Sequence, residues 1–216
     1  MTRRRDFLAQ LGGAAAAMAF NADEARASSA PLESGLWDTS WLDRLAMAQY
    51  RVVFNASEMN DGEVLDYANT FLVHFHEAHG TTDSQTRPVI VFRRLGTTLA
   101  LNDAMWDGYA LGEGDKINDP LTKAPARRNI YWRAKGSPGT PSSTIESLHQ
   151  RGMISLVCNV ALNNVGRTLA ARTKRSVDEV QKELRANLVP GAVLVPSGIY
   201  ALIRAQNAGC AFMPGS

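Results

Sequence analysis

Cys158 and the pair Arg93-Arg94 are the side chains best placed along this chain to do chemistry on a small ligand. Cys158 closes a short apolar run, Met153 to Val157, and precedes Asn159 to Ala171, whose pattern suits a helix. A sulfur in that position faces a helix N-terminus, and the partial positive charge there favours the thiolate. The thiolate is the form that transfers sulfur and exchanges disulfides. The plainer alternative is a buried, inert cysteine. Arg93 and Arg94 directly follow a second apolar run, Pro88 to Phe92. Two adjacent guanidinium groups can receive an anion such as sulfite, thiosulfate or a carboxylate. The alternative pairs one of them with an acid, Asp103 or Asp107, and leaves the other solvated.

Other candidate chemistry is weaker. His74, His76 and His79 suggest a metal, but on a helix His74 and His76 diverge by about 200°, which leaves only His76 and His79 as neighbours. Two ligands do not close a metal site, and His-Glu-x-His lacks the i, i+4 spacing of the zinc-protease motif. There is no phosphate loop, nucleophile elbow or dinucleotide fingerprint, and Leu111-Gly-Glu-Gly114 is a bare pair of glycines. No cofactor and no metal are expected. Cys210 starts a strand whereas Cys158 ends one. Parallel strands place such positions at opposite edges, which argues against a bridge whose α-carbons must lie within about 7 Å.

The elements that must position these residues alternate. Gln49 to Ser57 is β-prone and ends in turn composition. Apolar residues at Val64, Leu65, Ala68, Phe71, Leu72 and Phe75 lay one stripe along a helix over Glu63 to Ala78, which Gly80 ends. Pro88 to Phe92 reads as a strand buried on both faces. A helix from Ser143 to Arg151, capped by Ser142 or Ser143 and stopped by Gly152, leads into the strand Met153 to Val157. Ser176-Val-Asp-Glu179 has the form of a capping box for a helix reaching Asn187. Ala192 to Val195, Ile199 to Ala208 and Cys210 to Met213 give strand, helix and strand. Such alternation predicts an α/β fold with a mostly parallel sheet and helices on both faces. Ligands in these sheets bind beyond the carboxyl ends of the strands. The segments concerned are Ser57 to Gly62, Arg93 to Thr98, Cys158 to Gly166 and Pro196 to Ile199. The candidate ligand-binding set is therefore Arg93, Arg94, Asn159, Asn163, Ser197 and Gly198, around Cys158.

Residues 112–140 interrupt the rhythm with Gly- and Pro-rich turns, and read as an insertion that acts as a lid or an oligomer contact. Trp106, Tyr109, Tyr131 and Trp132 gather around it, either covering a pocket or forming the insertion's own small core.

The N-terminus has the order of a signal peptide: a basic start, an uncharged Ala/Gly-rich stretch from Leu8 to Phe20, and the small-x-small pattern Ala25-Arg26-Ala27. The stretch is too short and too weakly apolar for a permanent span. Arg4-Arg5-x-Phe7-Leu8 is similar to the twin-arginine consensus, so export to the periplasm with cleavage near Ala27 is expected. Residues 28–48 read as an arm or linker and 49–216 as the α/β domain. Positions 1–27 hold four of the 23 basic and three of the 21 acidic residues, leaving 19 against 18. A surface so close to neutral has no basic stripe for nucleic acid. Two cysteines are too few for a disulfide framework.

Leu148-His-Gln-Arg-Gly152-Met-Ile-Ser-Leu-Val-Cys158 resembles the segment of DsrE-like (DsrE/DsrF, YchN-like) proteins in which a Leu-x-x-x-Gly turn feeds a strand ending in Cys. The tail from Leu188 to Phe212, with Pro190, Val195-Pro196-Ser-Gly198, Gln206 and Gly209, is similar to the ending of that family, and Asn69 falls where many members carry Asn. The resemblance covers about Tyr50 to Pro214 and is specific in the last seventy or so residues. It implies a three-layer α/β sandwich, a homo-oligomer, and a cysteine that carries sulfur as a persulfide. Phe92-Arg93-Arg94-Leu95-Gly96, where relatives often have a short uncharged turn, and the 112–140 insertion both depart from the family pattern at the implied site.

Overall fold

A computed structural model of the protein describes residues 37–133 and 143–215. The expected signal peptide, the first part of the expected arm and the Gly/Pro-rich end of the insertion lie outside the described residues. So does Ser142.

Five strands form one all-parallel sheet: β1 (Tyr50–Ala56), β2 (Thr86–Phe92), β3 (Ile154–Cys158), β4 (Val193–Val195) and β5 (Ala211–Pro214), in the order β4-β3-β2-β1-β5. The protein is thus α/β, consistent with a three-layer sandwich. Strand side chains alternate between the faces with period two. Phe54, Ile90, Phe92 and Val157 meet one core, whereas Val53, Val89, Val91 and Leu156 meet the other. The β2 and β3 side chains are almost wholly buried, which accounts for their continuous Val/Ile/Leu runs.

Connection handedness explains which helix lies where. The chain steps from β1 to β4 in one direction, and right-handed crossovers then place the connecting helices on one face. These are α2 (Glu63–His79), α3 (Asp103–Gly108), α4 (Leu111–Gly114), α5 (Ile145–Gln150), α6 (Asn159–Thr173) and α7 (Val177–Ala186). The step from β4 back to β5 reverses direction, so α8 (Gly198–Asn207) packs on the other face, with Ala201, Leu202 and Ala205 in its core.

That second face also receives α1 (Trp41–Ala46), whose Trp41 and Leu45 are fully buried. The expectation of an arm reaching to residue 48 is therefore corrected. A Trp and a Leu four residues apart share one helix face, and the sheet supplies the apolar surface that buries them.

The reading of the insertion as a lid is corrected as well. Ile117, Ala126, Ile130, Tyr131 and Trp132 are buried and belong to the same core as α2 and α6. Asn129 Nδ2 donates to the carbonyls of Leu99 and Leu101, at 2.7 Å each, and Arg128 Nε donates to buried Asp119 at 2.6 Å. The Tyr131 ring lies against Gly62, where an added Cβ would come within 2.5 Å of it.

Helix ends follow the local sequence signals at some positions and depart from them at others. Gly80, Gly152 and Gly209 take positive φ at the ends of α2, α5 and α8 as expected. The cap of α5 is Thr144, in a reciprocal box with Ser147, and not Ser143. Ser176 makes no side-chain cap to α7, so the Ser-x-x-Glu box is not formed.

Candidate functional site

Adjacent strands whose connections leave to opposite faces open a crevice at their carboxyl ends. Here β3 continues into α6 on one face and β4 into α8 on the other, so the crevice lies between Cys158 and Ser197. A cleft of about 700 Å³ occupies this position. Arg93, Arg94, Cys158, Ser197 and Gly198 of the expected set line it together.

Each of these residues has a structural reason for its place. Cys158 ends β3 and caps α6, its Sγ accepting the Ala161 N–H at 3.3 Å, and its side chain is buried. Ser197 caps α8 in the same way, its Oγ accepting the Tyr200 N–H at 3.1 Å. Two helices therefore begin at the cleft, and their unpaired N–H groups favour negative charge there. Arg93 leaves β2 with its backbone N–H on the Ala56 carbonyl, which ties the turn to the end of β1. Among the described residues its guanidinium meets a neutral partner, Asn55 Oδ1, at 3.5 Å, and makes no ion pair. Arg94 takes a left-handed conformation, φ 49°, and pairs with Glu58 at 3.7 Å across a solvent-exposed gap. The pairing with Asp103 or Asp107 is not found. Asp103 accepts the Asn129 N–H, and Asp107 pairs with Arg127.

Asn159 and Asn163 do not line the cleft, which corrects the expectation for both. They sit about 200° around α6 from Ala161, which does line it. Their side-chain oxygens face α7 instead, accepting from Arg185 at 3.2 and 2.5 Å. Asn69 is also remote: its Oδ1 accepts from Arg151 at 2.8 Å, in a cluster with Asp83.

The cleft contains residues that sequence reasoning missed. Arg172 stands eleven residues, about three turns, after Ala161 on the same side of α6, and donates to the Tyr109 carbonyl. Helical periodicity was the available signal. Asp115 contributes the opposing charge. Burial holds its carboxyl above the usual aspartate range, against the Thr98 hydroxyl, which donates to it at 3.0 Å, and the Arg172 charge. Leu95, Leu111, Val160, Val165 and Ile199 make the walls apolar, and Leu95, Val160 and Ile199 are 57, 53 and 61% exposed.

The histidines form ordinary contacts. His74 meets Glu77 at 3.0 Å, His76 meets Asp83 at 3.4 Å, and His79 stacks on Tyr50. Among the described residues no group of three or more His, Cys, Asp or Glu side chains is placed to hold a metal ion, and no helix is long and apolar enough to cross a membrane. Both cysteines are free.

Compared with known proteins, the chain matches no family model, no curated protein and no solved structure.

Proposed function

We propose that this is an exported DsrE-like protein that handles reduced sulfur through a persulfide on Cys158. The carrying observation is the joint presence of Cys158, Arg93 and Arg94 in one cleft at the β3/β4 switch point. With thiosulfate as donor, the Cys158 thiolate attacks the outer sulfur, a new S–S bond forms, and the S–S bond of thiosulfate breaks. Sulfite departs with the electron pair, so sulfur and charge balance. The arginines favour both the incoming and the leaving anion. Export by the twin-arginine route to the periplasm and assembly into a homo-oligomer belong to the same reading. They rest on Arg4-Arg5-x-Phe7-Leu8 and on the resemblance of the last seventy or so residues.

Intact-mass measurement after incubation with thiosulfate or polysulfide tests the central claim. A gain of one sulfur atom that disappears in Cys158→Ser supports it, and an unmodified Cys158 removes it. Export is checked separately: changing Arg4 and Arg5 together to Lys should leave the precursor in the cytoplasm.

One observation favours a second reading, a non-catalytic ligand-binding or assembly module. Cys158 is only 6% exposed and its sulfur already serves as a helix cap. In that case Cys158→Ser retains the fold, and the cleft binds its ligand without any sulfur increment.

A further inference from the structure

We propose that the cleft prefers an organic anion with an apolar body, which it binds more tightly than a bare inorganic oxyanion such as thiosulfate. This names the ligand class of the site just described and rests on the reading of that cleft as a ligand site.

Size is the first argument. About 700 Å³ falls within the range of roughly 300–1,000 Å³ that encloses drug-sized ligands, far more than sulfite or thiosulfate fills. The walls are the second argument. Leu95, Val160 and Ile199 come from three different segments, after β2, within α6 and at the start of α8, yet line one cleft. Each leaves more than half of its surface in water. Single exposed aliphatics are ordinary on a protein surface, but three around one concave site are covered profitably by apolar ligand atoms.

Charge sets the head group. Arg93, Arg94 and Arg172 line the cleft against Asp115, and Glu58 pairs with Arg94. Arg93 makes no ion pair among the described residues, its partner being the neutral Asn55. A sulfonate, carboxylate or sulfur-bearing anion can therefore take that guanidinium without displacing a carboxylate.

The test is calorimetric titration of the full-length chain with 1-octanesulfonate, ethanesulfonate and octyltrimethylammonium. Each methylene that becomes buried raises affinity by roughly fourfold. Octanesulfonate should thus bind at least about tenfold more tightly than ethanesulfonate, with octyltrimethylammonium at least about tenfold weaker than octanesulfonate. Arg93→Gln should weaken octanesulfonate by about fivefold or more. Val160→Ser, at an exposed position with little folding risk, should narrow the gap between long and short chains. Equal affinity for the two sulfonates, or octanesulfonate binding unchanged in both variants, overturns the proposal. In the latter case the chain lies elsewhere, for example in the apolar groove beside β5 lined by Tyr67, Phe71 and Met213. Repeating the titration on Cys158→Ser separates the two claims. Octanesulfonate binding with no persulfide on the native chain sinks the sulfur chemistry alone. Persulfide formation without chain-length preference sinks this inference alone.

Discussion

Gly198, the first residue of α8, lies directly against Arg93: a Cβ added there would stand 3.0 Å from both Cβ and Cδ of the arginine. The absence of a side chain at 198 is what lets Arg93 lie along the start of the helix and into the cleft. Gly198→Ala should therefore move the guanidinium at small cost in stability, about 1 kcal/mol, the low end of overpacking because the arginine can shift. Octanesulfonate affinity should fall while the melting temperature changes by a few degrees. An unchanged affinity would mean that Arg93 reaches the ligand by a different path.

Trp41 gives the sharpest test of where the domain begins. It is fully buried in the core beneath α8, although it lies within the stretch that reads as an arm. Trp41→Ala should cost about 3–5 kcal/mol, as for other large-to-small changes in packed cores. Denaturant unfolding measures this, and a loss below about 1 kcal/mol would return α1 to the status of an appendage.

The parallel sheet and most of its helices were legible because their periodicities are long and clean. Ile90 to Phe92 and Leu156 to Val157 are buried on both faces, and α2 repeats its apolar residues every three or four positions. The six-residue α1 was not legible, since Trp41 and Leu45 alone make too short a pattern. The site was legible where topology dictated it, at the strand ends carrying Arg93, Cys158 and Ser197. Asn159 and Asn163 were misplaced because proximity in sequence to Cys158 says nothing about rotation around α6, which is also why Arg172 was missed. The local box at Ser176 failed although its residues fit the pattern, while Thr144 and Ser147 formed one without the Glu or Gln of the usual pattern.

The core role of residues 112–133 predicts that Gly62→Ala is damaging. Its φ of +76° disfavours any Cβ, and the new methyl would come within 2.5 Å of the Tyr131 ring. A loss of about 1–3 kcal/mol is expected in denaturant unfolding. Replacing residues 112–140 with a short Gly-Ser turn should unfold the domain, as judged by near-ultraviolet circular dichroism, because Ile117, Ala126 and Tyr131 leave the core together. A folded shortened protein would mean that the core closes without them.

His149 supplies a pH dependence. Burial pushes its imidazole below the ordinary histidine range and Arg44 repels the charged form, against a weaker hydrogen bond with the Pro190 backbone; Nε2 meets the Ser155 hydroxyl at 2.8 Å. The unfolded chain takes up this proton near pH 6.5, before the folded chain does. Stability from this group is therefore complete above about pH 6.5 and is lost as pH falls toward the depressed folded value. The slope is bounded by one proton, about 1.4 kcal/mol per pH unit. His149→Gln should flatten the stability profile below about pH 6.5 relative to the native chain. Parallel profiles would place the acid sensitivity elsewhere.

The two cysteines make a final comparison, because exposure alone does not separate them: Cys158 is 6% and Cys210 7% exposed. Surroundings do. Cys158 lines the cleft, which gives a small reagent a route toward its side chain that burial elsewhere does not. Burial pushes the Cys210 thiol up to about 11, with only partial relief from Arg51, leaving about one part in a thousand as thiolate at pH 8. Iodoacetamide at that pH should accordingly label Cys158 at least about tenfold faster than Cys210, and Cys210 at speed only in denaturant. Saturating octanesulfonate should slow labelling of Cys158 and leave Cys210 untouched, which peptide mass spectrometry resolves site by site. Faster labelling of Cys210 in the folded protein would show that access to Cys158 is closed, and that its sulfur serves α6 as a cap and nothing more.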